Sequence, residues 1–145
     1  MARLDRLRPL PNSDSVGDLA LSAFFGPARV VDLPGKGEVG PDALPRGALG
    51  AARLLFRTGG KTFLSALAAV RLAERGAILV GTDAMSVDHQ DAADLPVHRT
   101  LLSRGVAVLE NLDLSKAAPG EYLLVALPLN FKELDGSPVR AILIK

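Results

Sequence analysis

The sequence predicts an α/β domain built on a mixed sheet with two main helices. Short β-branched and apolar runs recur along the chain between glycine and proline residues, a pattern typical of strands. Two longer segments carry the start and stop signals of helices. With 145 residues, 48% hydrophobic and 23% charged, the chain suits one globular domain with its own core.

Six segments are predicted to be strands, and two of them are well bounded. Pro27–Leu33 is a β-branched run between proline and glycine residues, and Arg53–Arg57 (RLLFR) ends at a Thr-Gly-Gly turn. Between residues 34 and 50, glycine and proline recur so often that no regular element is expected. The predicted strands are 27–33, 53–57, 77–80, 106–109, 122–129 and 139–144, with a turn at 134–138.

Two segments are predicted to be helices. Thr62 is a suitable cap for a helix that runs to about Arg75 and ends at Gly76. Asp94 is a suitable cap for a second helix over 95–104, because proline at position 96 is tolerated in a first turn.

The composition excludes several classes of partner. A net charge of +1, from 17 basic and 16 acidic residues, offers no basic surface for nucleic acid. No apolar run reaches the ~20 residues of a membrane helix, so no membrane partner is expected. The chain has no cysteine, so a bound metal must use His, Asp or Glu, and a cytoplasmic location is expected.

His98 and Glu110 are the candidate metal ligands. They lie twelve residues apart, His98 on the second predicted helix and Glu110 at the end of the following strand. Neutral imidazole and carboxylate are suitable ligands for zinc or manganese. The helical face of His98 is apolar, however, which is also typical of a core histidine with satisfied hydrogen bonds. Glu110 could equally be an exposed carboxylate at a strand end.

The order of several short motifs, together with the spacing of His98 and Glu110, resembles the cyclase or kynurenine formamidase family of metal-dependent hydrolases. These motifs are Ser15–Leu19 (SVGDL), Phe25–Leu33 (FGPARVVDL), Gly81–Asp83 (GTD), Ser86–Asp88 (SVD), Leu127–Leu129 (LPL) and Asp135–Ala141 (DGSPVRA). The resemblance implies a swivelling β/β/α fold and a homo-oligomer such as a dimer or tetramer. It also implies a divalent metal, zinc or manganese, and hydrolysis of formamide-like amides or of lactone-like cyclic amides and esters.

The sequence departs from this family at its amino end. There the family carries a His-x-Gly-Thr-His-x-Asp-x-Pro-x-His motif, which supplies most metal ligands and the general base. No histidine precedes His89 in this chain, so Asp5 alone remains as a candidate ligand from this region. We therefore expect a reduced metal site of His98, Glu110 and Asp5, to which a partner subunit could add a ligand. No catalytic residue is assigned. The chain is expected to form one domain over 1–145, shortened at the amino end and irregular over 1–18.

Other polar residues receive simpler interpretations. Asp83 and Asp88 are expected to accept backbone N–H bonds in the loop after a buried strand, at the edge where open α/β sheets tend to place ligands. His89 is expected to be a surface residue, although it could replace a lost metal ligand. Ser86 lacks the Gly-x-Ser-x-Gly surroundings of a nucleophile, and the GGKT at 59–62 lacks the first glycine of a phosphate loop.

Two functions remain open at this stage. The first is a metal-dependent hydrolase of the cyclase family with a reduced metal site. The second is a degenerate, non-catalytic member of the same family that acts as a binding or structural subunit of an oligomer.

Overall fold

The computed structural model describes residues 2–5, 19–132 and 134–145, and for residues 2–5 it describes the backbone alone. Its α-helices are α1 (Ala66–Glu74) and α2 (Pro96–Ser103), and 3-10 turns lie at Leu21–Ala23, Pro41–Ala43 and Arg46–Ala48. Among the described residues, no helix is both long and apolar enough to cross a membrane. The strands are β1 (Ala2–Asp5), β2 (Phe25–Asp32), β3 (Gly37–Val39), β4 (Arg53–Arg57), β5 (Thr62–Leu64), β6 (Leu79–Thr82), β7 (Ala107–Glu110), β8 (Gly120–Val125), β9 (Gly136–Val139) and β10 (Ile142–Ile144).

In the described part of the chain, eight strands form one mixed sheet in the order β10-β8-β2-β4-β6-β7-β1-β9. The central strands β2, β4, β6 and β7 are parallel, and the strands on both sides of them are antiparallel. Helix α1 lies in the connection from β4 to β6, and α2 lies in the connection from β6 to β7. The predicted α/β fold, with a mixed sheet and two main helices, is confirmed.

Each face of the sheet carries an apolar core, because side chains alternate between the faces along a strand. Both helices pack on the same face. The buried residues of that face include Leu54, Phe56, Val80 and Val108 from the strands and Ala69, Leu72, Val97 and Leu101 from the helices. The core of the opposite face includes Phe24, Val30, Leu55, Leu79, Leu109 and Leu124. The site described below lies on the helix-covered face.

Helix α1 begins later than the sequence predicted. Its cap is Ser65, whose Oγ accepts the N–H of Ala68 at 3.1 Å. The predicted cap, Thr62, belongs instead to β5, and its hydroxyl donates to the carbonyl of Gly35 at 3.1 Å. The cause is long-range pairing, since β5 pairs in parallel with β3 and so holds residues 62–64 extended. The expectation of no regular element over 34–50 is wrong for the residues of β3.

Pairing also decides the ends of the chain. Strand β8 covers 120–125 rather than 122–129, while 139–144 divides between β9, which occupies part of the predicted turn, and β10. These two strands bond to different partners, β9 to β1 and β10 to β8. The irregular structure expected over 1–18 is wrong for residues 2–5, which lie between β7 and β9 and bond to both through the backbone. Residues 6–18 lie outside the described part of the chain.

Candidate functional site

Glu110 and His98 meet beneath helix α2 because of strand and helix periodicity. Glu110 ends β7 two residues after Val108, so both side chains point to the helix-covered face of the sheet. His98 lies in the first turn of α2, beside the buried Val97 and one turn before the buried Leu101. The imidazole and the carboxylate therefore project into the same apolar space.

The imidazole of His98 lies between two carboxylates. Its Nε2 is 3.2 Å from Oε1 of Glu110, and its Nδ1 is 2.6 Å from Oδ2 of Asp88. The exposed fraction of the side chain is 3% for His98, 1% for Asp88 and 3% for Glu110. Titratable groups are buried to this extent only when they are paired. We refer to Asp88, His98 and Glu110 below as the buried triad.

Asp88 also caps helix α2. Its Oδ1 accepts the N–H of Val97 at 2.7 Å, and its Oδ2 accepts the N–H of His98 at 3.0 Å. The sequence predicted Asp94 as this cap, and that prediction is wrong. The cap position is occupied by Leu95, which makes no side-chain cap bond. A carboxylate from the preceding loop thus satisfies the first amide groups of the helix, which have no partner within it.

Glu110 ties the loop that carries Asp88 to the end of β7. Its Oε1 accepts the N–H of Val87 at 2.7 Å. The backbone is left-handed just outside the triad, at Leu95 (φ 45°) and at Asn111 (φ 55°). This region costs energy for a side chain such as leucine and less for asparagine. Such positions concentrate at functional sites, where the surrounding structure enforces them.

Two opposing effects set the pKa values of His98 and Asp88. Burial disfavours the charged imidazolium, but hydrogen bonds to Asp88 and Glu110, together with their charges, outweigh it and raise the pKa of His98 to about 9. Burial likewise opposes the charge of Asp88, yet bonds from the His98 imidazole and from two backbone amides lower its pKa below the usual value. These protein groups alone therefore favour a protonated His98 imidazole beside an ionised Asp88.

Asp5, the third predicted ligand, lies on β1. That strand runs antiparallel beside β7, with Asp5 in register with Val108 and Arg3 in register with Glu110. The residue of β7 opposite Asp5 therefore lies two positions before Glu110. The Asp5 side chain lies outside the described part of the structure, so its role as a ligand stays a prediction.

The side chains of the other two singled-out residues, His89 and Asp83, pair outside the triad. The side chain of His89 is 45% exposed, with Nδ1 3.6 Å from Oδ2 of Asp91, and its ring lies edge-on to Phe63. Asp83 accepts the backbone amides of Thr58 and Gly59 and the Thr58 hydroxyl, as expected of a structural carboxylate. The backbone role predicted for Asp88 is confirmed too. Its bond to the His98 imidazole was missed, because sequence order does not reveal which histidine a loop carboxylate reaches.

The described residues include the side chains of two predicted metal ligands, His98 and Glu110. Nε2 of His98 and the carboxylate of Glu110 converge, and the Nδ1 contact with Asp88 is of the kind that orients metal-binding imidazoles. A catalytic zinc site generally has about three protein ligands. Among the residues that the structure describes, no group of three His, Cys, Asp or Glu side chains could hold a metal ion. A metal held here would therefore have His98 and Glu110 as two ligands and would need at least one more from outside the described side chains.

A cavity of about 540 Å³ opens at the carboxyl ends of β2, β4 and β6. Its lining includes Arg57, Asp83 and residues 112–115, which directly follow the triad residue Glu110 and Asn111. The Arg57 guanidinium is held in place by Asp32 through bonds of 2.6 and 3.0 Å. This is the sheet edge at which the sequence predicted a ligand site. A larger cavity of about 820 Å³ has an apolar lining that includes buried residues of the opposite core.

Comparison with known proteins identifies relatives along almost the whole chain, although no protein-family model matches it. It is 40% identical to a kynurenine formamidase of Paracidovorax citrulli, over 92% of this chain and 69% of that protein. It is 38% identical to a kynurenine formamidase of Bacillus thuringiensis subsp. konkukian, over 91% of this chain and 68% of that protein. The chain thus spans about two thirds of the length of these relatives.

Solved structures agree with this relationship. The fold superimposes on that of a potential metal-dependent hydrolase with cyclase activity with a TM-score of 0.86 and 26% identity, over 98% of this chain and 76% of the other. A crystal structure of a cyclase gives a TM-score of 0.76 at 19% identity, which bears on the fold alone. The predicted cyclase-like fold is therefore confirmed. Because a formamidase relative is 40% identical over 92% of this chain and 69% of its own length, the chain belongs to the kynurenine formamidase family of cyclase-like hydrolases.

Proposed function

We propose that this chain is a metal-dependent hydrolase of a small amide, and that His98 and Glu110 bind the metal. The observation that carries the proposal is the approach of the buried His98 Nε2 to the Glu110 carboxylate at 3.2 Å. A histidine and a carboxylate held together in an apolar space are suitable ligands for zinc or manganese. Membership of a hydrolase family supplies the chemical context.

The proposed substrate is a formamide-like amide, or a cyclic amide or ester. The relatives named as kynurenine formamidases, which are 40% and 38% identical to this chain, support a formamide. The cavity of about 540 Å³ at the carboxyl ends of the parallel strands is not assigned to this substrate, because Asp88, His98 and Glu110 are not among its lining residues.

The protein's own part in this reaction is to hold and shield the ligands. A bound divalent cation would lower the pKa of a coordinated water to about 7 and polarise the substrate carbonyl. Asp88 keeps the imidazole ring in one orientation, and Glu110 is fixed by the Val87 amide. Leu101, which is fully buried on the same helix as His98, helps to exclude bulk water from this face.

We propose that the third ligand is Asp5 or a side chain of a second subunit, in a homodimer or homotetramer. Asp5 lies on the strand next to the one that ends in Glu110. Sedimentation velocity of the purified chain, with and without metal, gives its oligomeric state, and metal binding by the same samples then separates the two sources. Metal binding that is lost in Asp5→Ala supports Asp5, whereas binding that appears only in the oligomer supports the second subunit.

A non-catalytic role in the same family is the second candidate. Both ring nitrogens of His98 already face carboxylates, as those of a structural core histidine do. In this interpretation the triad joins α2 to β7, and the chain acts as a binding or structural subunit.

Elemental analysis of the purified chain, after dialysis and again after loading with zinc or manganese, tests the proposal. The chain contains two histidines, so His89→Ala is a matched control for His98→Ala. We expect about one tightly bound metal in the wild type and in His89→Ala, and none in His98→Ala. The same preparations are then assayed with formamides and lactams. A wild-type chain without stoichiometric metal would favour the non-catalytic role.

A further inference from the structure

We propose that Asp88 is a positioning residue for the metal site, coupling the start of helix α2 to the orientation of the His98 imidazole. This inference rests on the proposed function, because it concerns how His98 is presented to a metal. The hydrogen bonds that support the inference are all made by the Asp88 carboxylate. Asp88 Oδ2 lies 2.6 Å from His98 Nδ1 and 3.0 Å from the His98 amide nitrogen, while Oδ1 lies 2.7 Å from the Val97 amide nitrogen.

The first step of the argument concerns the ring nitrogens. A neutral imidazole carries hydrogen on one nitrogen and a lone pair on the other. A carboxylate beside Nδ1 accepts a hydrogen bond from it, so the hydrogen stays on Nδ1 and the lone pair of Nε2 becomes the metal ligand. Nε2 is the nitrogen that faces Glu110. Asp88 therefore selects the tautomer in which the imidazole and the second proposed ligand point to the same place.

The second step concerns the backbone. Because Asp88 binds the amide of His98 as well as its ring, it fixes both ends of the side chain, the Cα position and the imidazole plane. Leu95, which occupies the N-cap position of α2, makes no side-chain hydrogen bond to the helix. The position of the first turn of α2 relative to β7 therefore depends on Asp88, and with it the distance from Nε2 to Glu110.

The third step concerns the loop. Val87, the residue before Asp88, donates its amide to Glu110 at 2.7 Å. Each proposed ligand thus contacts the same two-residue segment, His98 through Asp88 and Glu110 through Val87. Substitution of Asp88 should therefore lower the metal affinity even in protein that remains folded.

Asp83 provides a matched control for Asp88. It lies in the same loop and, like Asp88, accepts two backbone amides and one side-chain donor, in this case from Thr58 and Gly59. Removing either carboxylate leaves two backbone amides and one side-chain group without this hydrogen-bond partner. Within the described residues, only the Asp88 carboxylate is hydrogen-bonded to His98 Nδ1.

The experiment measures zinc affinity by competition with a chromophoric chelator in the wild type, Asp88→Ala, Asp88→Asn, Asp83→Ala and His98→Ala. We expect affinity to fall about 10- to 100-fold in Asp88→Ala. Asp88→Asn should recover part of this loss, because its amide oxygen can still accept from Nδ1. Asp83→Ala should bind zinc as tightly as the wild type, even if it unfolds at a lower temperature. Equal zinc affinity in folded Asp88→Ala and in the wild type would overturn the inference while leaving the proposed function intact.

A second measurement needs no variant and so holds even if Asp88→Ala does not fold. In the zinc-loaded wild type labelled with ¹⁵N-histidine, the two histidines give two ring systems. We expect the Nδ1 of His98 to retain its hydrogen and Nε2 to shift on binding zinc. Zinc bound to Nδ1 of His98 would overturn the inference but not the proposed function. A wild type that binds no zinc through His98 would overturn the proposed function and the inference together.

Discussion

The His98 side chain illustrates what a single residue's surroundings add to its sequence pattern. Its apolar helical face predicted burial, and its spacing from Glu110 within the family resemblance predicted a ligand. The structure confirms the burial and brings the two side chains to 3.2 Å, while their role as metal ligands stays a prediction. The contact with Asp88 was not predictable, because it depends on how the loop between Asp88 and His98 folds back onto the start of α2.

At this scale, we expect Glu110→Ala to lower the free energy of unfolding of the metal-free protein by about 3 kcal/mol. The change leaves the buried Val87 amide without its acceptor and removes a negative charge from beside the His98 imidazole. Urea denaturation measures the effect. Glu121→Ala is the control, since that side chain is 62% exposed in an ion pair with Arg29 and should contribute less than about 1 kcal/mol. Equal costs for both variants would contradict a buried structural role for the triad.

At the scale of elements, local signals predicted the two helices and the central strands, while pairing partners set their ends and formed β1, β3 and β5, which were not predicted. Ser65 rather than Thr62 caps α1, because Thr62 is drawn into β5 by its pairing with β3. Helix α2 is capped by Asp88 from outside the helix, although Asp94 has a suitable side chain at a suitable position. Propensity was overridden in both places by contacts between residues distant in sequence.

Strand β6 supplies the prediction at this scale. A Cβ added at Gly81 would lie 2.4 Å from Cδ2 of the buried Leu55 and 2.9 Å from Cδ1 of Leu112. Gly81→Ala should therefore overpack the core opposite the helices and cost about 1–3 kcal/mol in urea denaturation. At Gly47 the added Cβ would meet only Val31, at 3.9 Å, so Gly47→Ala should change stability by less than about 0.5 kcal/mol. An unchanged stability in Gly81→Ala would mean that the sheet accommodates the methyl group by moving.

At the scale of the whole molecule, one sheet joins the two apolar cores. The helix-covered core and the opposite core share strands β4, β6 and β7, whose successive residues alternate between them. The triad lies at the carboxyl end of β7 on the helix-covered face, so its geometry depends on the packing of α2 against the sheet. The single domain over 1–145, predicted from length and composition, stays a prediction.

Tyr122 offers a direct test of that single domain. It is the only tyrosine, there is no tryptophan, and it lies on β8, whose sheet neighbours are β2 and β10 rather than the strands flanking α2. We expect tyrosine fluorescence and far-ultraviolet circular dichroism to give coincident urea transitions, because one cooperative unit unfolds at once. Separate midpoints would indicate that the β8 side of the sheet and the helical layer unfold as two units.

The sequence by itself determined the class of fold, the two helices, the central strands and the pairing of His98 with Glu110 as candidate ligands. Those features follow from periodicity, turn residues and motif order, which are local in the chain. Tertiary structure alone decided that Asp88 caps α2 and holds the imidazole, that β1 lies beside β7, and that β3 and β5 pair. The physical reason is that these contacts join residues whose partners are chosen by packing across the sheet, and unsatisfied buried amides and carboxylates accept whichever partner packing supplies.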